Sequence, residues 1–216
     1  MVWIEHLQSV NWSRAAGCAA AGYLLGCFST GYWLVRLRAG GDVRELGSGV
    51  TGARNVGRVL GRSGFLFTLL GDFSKGALAV WLAFEFNGDA PLPALLALLA
   101  AVAGHIWPAP LHFRGGKGVA TALGALLLLD YRLALTFAVL FLAGFAASRK
   151  TFLPAMFAFA GLPVAGWWFE GGGLAATLLI VLAVMILFAH RRNFADEMAA
   201  AVARHEVAPK PGEPKL

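Results

Sequence analysis

The succession of apolar segments between residues 15 and 189 limits this chain more than any other feature, because no polar stretch of domain length interrupts it. A helix needs about 20 apolar residues to cross the hydrocarbon of a bilayer, and several segments meet that length. The runs are continuous rather than alternating, which argues against a membrane barrel. With 58% hydrophobic and 14% charged residues, the chain also lies outside the range of soluble globular domains. The expectation is an all-α integral membrane protein. Residues 1–195 would form a single membrane domain, and residues 196–216 a charged, proline-containing, mobile tail. Residues 1–14 lack the basic start of a cleavable leader, so the first apolar helix is expected to remain.

Candidate spans are 15–37, 64–86, 91–111, 118–130, 133–148, 152–169 and 173–189. The fourth and fifth are short and parted only by "DYR" at 130–132, so one bent helix could replace them. Basic residues favour the cytoplasmic side, and seven spans sort them well. Fifteen then share one side: Arg36, Arg38, Arg44, Arg54, Arg58, Arg62, Arg114, Lys117, Arg149, Lys150, Arg191, Arg192, Arg204, Lys210 and Lys215. Only Arg14 and Arg132 fall on the other, and Lys75 lies within a span. This predicts seven transmembrane helices, the N-terminus outside and the C-terminus cytoplasmic. The same sorting accounts for most of the net charge of +6, so no nucleic-acid partner is expected. Cys18 and Cys27 are nine residues apart in one helix, too distant to bridge each other, and are expected to be packing thiols.

Three polar clusters fall on the basic face. The first, "ELGSGVTGARNVGRVLGRSG" from Glu45 to Gly64, combines Gly47 and Gly49 with Ser48, Asn55 and Arg58, donors suited to an anion. Its formal G-x-G-x-x-G pattern follows a membrane helix rather than a strand, so it is not a dinucleotide fingerprint. The second is "GHIWPAPLHFRGGKGVATALG", Gly104 to Gly124. Pro108 and Pro110 end one helix, and Gly115, Gly116, Lys117 and Gly118 lead into the next, which Thr121 helps to open. A glycine loop feeding a helix N-terminus aims N–H groups and a positive dipole end at one spot. The expectation is therefore that the loop's backbone wraps an anion. His105, inside the third span, suits either a packing hydrogen bond or the site. The third cluster, "HRRN" at 190–193, puts His190 and Asn193 on one helical face. Apart from these, Asp72 and Lys75 in "GDFSKG" form an i, i+3 pair inside a span, where charge is costly unless neutralised. The histidines at 6, 105, 112, 190 and 205 show no metal-ligand spacing, so neither metal nor cofactor is expected.

Taken together, "GYLLGCFSTGYWLV", "GSGVTGARNVGRVLG", "LLGDFSKG", "GHIWPAPLHFRGGKGVATALG" and "HRRN" resemble, in sequence and in order, the bacterial acyl-phosphate-dependent glycerol-3-phosphate acyltransferases, the family called PlsY. The resemblance implies a seven-helix bundle in the bacterial inner membrane. It implies acyl transfer from acyl phosphate to the 1-hydroxyl of glycerol 3-phosphate, giving lysophosphatidic acid and phosphate. Membrane lipid and an acyl-phosphate-producing enzyme are candidate partners. By motif position Ser48, Arg58, Lys117, His190 and Asn193 would be catalytic. Gly47, Gly49, Asn55, His105, Gly115, Gly116, Gly118 and Thr121 would bind substrate, and two roles stay open for His190: contacting a phosphate, the favoured one, or orienting and deprotonating the acceptor hydroxyl. Three positions depart from the family pattern: Val50 for Asn, Arg54 for Thr, and Asp196 for Arg. The family's C-terminal glutamate would correspond to Glu213. These departures keep a catalytically weak or acceptor-altered paralogue open as an alternative, and the Asp72–Lys75 pair keeps open a transporter of anions or lipid precursors.

Overall fold

A computed structural model of the chain describes residues 10–88, 90–170 and 173–207. The distal tail with Lys210, Glu213 and Lys215, together with His6, lies outside the described residues. Among the described residues nine α-helices follow in order: α1 (Trp12–Cys27), α2 (Thr30–Ala39), α3 (Ala53–Asn87), α4 (Pro91–Ile106), α5 (Val119–Leu129), α6 (Tyr131–Ser148), α7 (Phe152–Glu170), α8 (Gly173–Ala189) and α9 (Arg191–Val207). Short 3-10 turns occupy Val43–Glu45 and Ala109–Leu111. The all-helical membrane architecture agrees with the sequence.

Among the described residues five helical segments are long and apolar enough to cross a bilayer: Trp12–Ala39, Ala53–Asn87, Pro91–Leu111, Tyr131–Ser148 and Phe152–Phe169. A sixth is added if α8 and α9, bent by 58° at His190, count as one. The expected fourth span is α5, only 11 residues long. At 1.5 Å per residue it covers about 16 Å, roughly half the hydrocarbon thickness. Asp130 separates it from α6 by capping the latter: its carboxylate accepts the Arg132 N–H at 2.8 Å. Residues 196–207, the start of the expected tail, continue helix α9.

Two breaks place the first cluster. The first span is interrupted at Phe28–Ser29, where Ser29 Oγ accepts the Tyr32 N–H and starts α2. In α3, Gly61 adopts φ 71°, ψ −162°, which only glycine takes readily. A short arm, residues 53–60, therefore leaves the axis of the span and carries Arg54, Asn55 and Arg58.

Lipid offers no hydrophobic drive between helices, so close backbone approach holds the spans together. Gly76 of α3 lies against the Thr121 carbonyl of α5, and Gly124 of α5 against the Phe73 carbonyl of α3; a methyl at either would overlap backbone. Gly22, Gly26 and Gly104 make the same kind of seam between α1 and α4. Cys18 and Cys27 are buried free thiols, as expected. Trp12, Tyr131, Trp167 and Trp168 are exposed at the end of the bundle opposite the three clusters, where aromatic rings favour a membrane interface.

The break in the first span exposes carbonyls that water cannot reach. Lys75 serves them: its ammonium donates to Gly26 O at 3.0 Å and Phe28 O at 2.7 Å, and pairs with Asp72 at 3.0 Å. Three donors meet three partners. Replacing Lys75 by Met should destabilise the fold by about 3–5 kcal/mol, since it strands a buried carboxylate and two carbonyls. Thermal unfolding in detergent checks this. The Asp72→Asn, Lys75→Met double variant should lose less than the two single losses added together.

Candidate active site

The first loop is built around Asn55. Its Oδ1 accepts the Ser48 N–H at 2.8 Å, and its Nδ2 faces the carbonyls of Val43 (3.1 Å), Leu46 (2.9 Å) and Val50 (2.9 Å). Asn55 is buried, and its amide is engaged by backbone groups of its own loop. Gly47 and Gly49 take positive φ at 56° and 71°, turning the chain around it. A side chain at Gly47 would collide with the Asn55 carbonyl oxygen. The result presents Ser48 on the exposed rim, with Arg58 beside Gly47. Val50 contributes a backbone carbonyl here, which any residue would supply.

The second loop corrects an expectation. The N–H groups of Gly115 and Gly116 point inward, donating to Ile106 O at 3.2 Å and His105 O at 3.0 Å. They are glycines because the loop lies directly on His105: a methyl at Gly116 would strike the imidazole, and one at Gly115 the His105 carbonyl. His105 is buried beneath the loop, its Nδ1 3.6 Å from Asp72 Oδ1, as the packing alternative expects. Asp72 and Lys75 lie in the same buried layer. The N–H groups without an intrahelical partner lie next along the chain, at the start of α5. Gly118 caps that helix at φ 83°, packed against Ile186, Val102 and Ile106. Thr121 lies in the first turn, buried, with a hydroxyl that has no hydrogen-bond partner.

Lys117 is where the clusters meet. Its ammonium donates to Asn193 Oδ1 on α9. Burial, together with the charges of Arg54, Arg192 and Arg58, depresses its pKa from the ordinary lysine value, while Asp196 acts in the opposite sense. His190 sits at the α8–α9 bend, buried against Phe152, with ring centroids 5.8 Å apart. Its Nδ1 lies 2.8 Å from Ile186 O; a carbonyl partner places the proton there and leaves Nε2 as the acceptor of the neutral ring. Burial lowers the His190 pKa, opposed by that carbonyl, and the Lys117 charge lowers it further. Arg58, Lys117, His190 and Asn193 therefore converge at one mouth, and Ser48 follows Gly47, the residue that lies against Arg58.

Sequence reasoning took Arg54 and Asp196 only as departures. The fold brings both to Lys117, and Arg54 also reaches Thr151 Oγ1 at 3.3 Å. Arg192 was not singled out. Its place in "HRRN", two residues from a motif histidine, was the available signal. Among the described residues no group of three or more His, Cys, Asp or Glu is arranged to hold a metal ion.

Comparison with known proteins gives a consistent result. The family model described as glycerol-3-phosphate acyltransferase matches residues 16–200. Glycerol-3-phosphate acyltransferase 1 of Desulfitobacterium hafniense (strain Y51) is 49% identical over 174 residues, covering 81% of this chain and 86% of its own. The glycerol-3-phosphate acyltransferase of Synechococcus sp. (strain CC9902) is 42% identical over 185 residues, covering 86% and 92%. Among solved structures, the glycerol 3-phosphate form of PlsY, an integral membrane glycerol 3-phosphate acyltransferase, superposes with a TM-score of 0.77 at 31% identity, covering 86% of this chain and 92% of that one. Its lysophosphatidic acid form gives 0.74 at 29% identity. With two glycine loops and a basic helix end gathered around Lys117, and a family match over most of its length, the chain belongs to the glycerol-3-phosphate acyltransferase family.

Proposed function

We propose that this protein transfers a fatty acyl group from acyl phosphate to the 1-hydroxyl of glycerol 3-phosphate, releasing phosphate and lysophosphatidic acid. The convergence of Arg58, Lys117, His190 and Asn193 beside the N-terminus of α5 carries the reading, because two phosphate-bearing substrates need that many anion donors in one place. The acceptor oxygen attacks the acyl carbon, the bond from that carbon to the phosphate oxygen breaks, and phosphate departs with the electron pair. The leaving group is already good, so no covalent enzyme intermediate is needed. Ser48 serves as a phosphate contact on the loop rim.

Of the two roles open to His190, its hydrogen bonding favours the acceptor hydroxyl over the phosphate contact. With Nδ1–H held by Ile186 O, the neutral ring offers a lone pair at Nε2, which can accept the hydrogen bond of the attacking hydroxyl but cannot donate to phosphate. Lys117 and Asn193 orient the phosphates and neutralise developing charge. The motif end faces the cytoplasm of the bacterial inner membrane, with α5 and α8 completing a seven-helix arrangement and the N-terminus outside. The excess of basic residues at that end supports this orientation. Transport fits less well, because the donors of Lys75 are already taken by protein groups.

Purified protein in detergent, given acyl phosphate and glycerol 3-phosphate, should release phosphate only when both are present. Uptake into liposomes without release would instead mark a transporter. Lys117→Ala should cut kcat/KM by about 10²-fold or more and weaken phosphate binding, while membrane insertion is retained. By contrast, His190→Ala should lower kcat with phosphate affinity nearly unchanged; a large loss of phosphate affinity would return His190 to a phosphate-contact role.

The pH profile should be bell-shaped. Activity needs neutral His190, so it falls on the acid side as that ring protonates, below the usual histidine range. It needs protonated Lys117, so it falls on the alkaline side below the usual lysine range. Asp196→Asn removes the one carboxylate that raises the Lys117 pKa and should move the alkaline limb to lower pH. Rate measurements across pH for the two proteins check the sign.

A further inference from the structure

Arg44 belongs to none of the three polar clusters, yet it joins the first loop to the second. Its guanidinium donates to Leu111 O at 2.6 Å, 67 residues along the chain. It is held in place by Asp42, through Nε at 3.0 Å to both carboxylate oxygens and Nη2 at 2.6 Å, and by the Tyr32 ring, whose centroid is 5.3 Å from Cζ. Asp42 also caps the 3-10 turn by accepting the Arg44 N–H at 2.9 Å. A second tie runs nearby, from the Thr51 N–H to Gly115 O at 3.4 Å. The two ties grip the two ends of residues 111–115.

That stretch needs holding. His112 and Phe113 both carry positive φ, 54° and 59°, a conformation non-glycine side chains adopt at a cost. Both side chains are exposed, so side-chain packing does little to fix the turn. Immediately after it the chain must deliver Lys117 to Asn193. A guanidinium fork fixed by a carboxylate, an aromatic face and a carbonyl at once is a geometric device rather than a source of charge.

We propose that Arg44 is a positioning residue that clamps the strained 111–115 turn to the first loop and so sets Lys117 in register with Ser48 and Arg58. The inference rests on the acyltransferase reading and names one more part of the same machinery. Arg44 touches no substrate; it acts through Leu111.

Full-length wild type, Arg44→Ala and Arg44→Lys in detergent test it, with kinetics, thermal midpoint and trypsin cleavage after Arg114 as readouts. Arg44→Ala should lower kcat by about tenfold or more and raise KM for glycerol 3-phosphate, since small misplacements of orienting groups are costly. Cleavage after Arg114 should accelerate as the turn is released. Arg44→Lys keeps the charge but not the fork, so it should recover little of either property. It also carries the test should the alanine variant fail to fold. Wild-type KM and cleavage rate in both variants, or full rescue by lysine, would overturn the clamp. Absence of acyl transfer in the wild type would overturn the functional reading, and the cleavage rates would still decide the clamp.

Discussion

A single buried ammonium ties the first span to the site. Lys75 lies within α3 at a depth where water cannot substitute for a missing partner, and its three donors go to the Gly26 and Phe28 carbonyls and to Asp72. Those carbonyls are exposed only because the first span breaks at Phe28–Ser29. Asp72 in turn faces His105, and His105 lies directly beneath Gly116. A continuous set of contacts therefore runs from the break in one span, through an ion pair in another, to the floor of the second glycine loop. The bilayer makes each link obligatory, since a carbonyl, carboxylate or ammonium left alone there has no solvent to turn to.

Much of this was legible in the sequence, at the level of what gathers where. Apolar run length gave the membrane class, and the placement of basic residues gave the face that carries the three clusters. The resemblance carried by the motifs named a family that the comparisons then supported. What escaped was direction. Gly115 and Gly116 read as backbone donors for an anion, but their N–H groups turn inward, because the loop must lie on His105 and only glycine lets it approach. Asn55 read as a substrate donor, yet its amide is filled by four backbone groups of its own loop. Nothing in residue type separates an asparagine that binds a ligand from one that braces the loop doing so. The shortness of α5 was legible in part, since "DYR" parts two short apolar runs; the structure makes the stop there through Asp130, which caps the next helix.

The departures from the family pattern make more sense in three dimensions than one by one. Arg54 adds a cation near Lys117 and Asp196 adds an anion near the same group. Their effects on Lys117 are opposite in sign, so the local charge balance changes less than either substitution alone suggests. Val50 stands where a polar residue is usual, but its link to Asn55 runs through the backbone carbonyl. The loop geometry is therefore insulated from its side chain, and any consequence must be sought at the rim rather than in the scaffold.

The crowding of cations also bears on selectivity. Arg54, Arg58 and Arg192 all disfavour charge on Lys117, and its partial burial adds to that penalty. On the proposed reading, a phosphate dianion between these groups would offset their mutual repulsion, stabilise the ammonium and face the N-terminus of α5. A neutral polyol of the same size would relieve none of them. If the proposed reading holds, the mouth would discriminate by charge before shape enters, which suits a donor and an acceptor that share little beyond their phosphoryl groups. Shape then falls to the loops, whose bracing by Asn55 from within and by His105 from below keeps the donors fixed while the charges do the selecting.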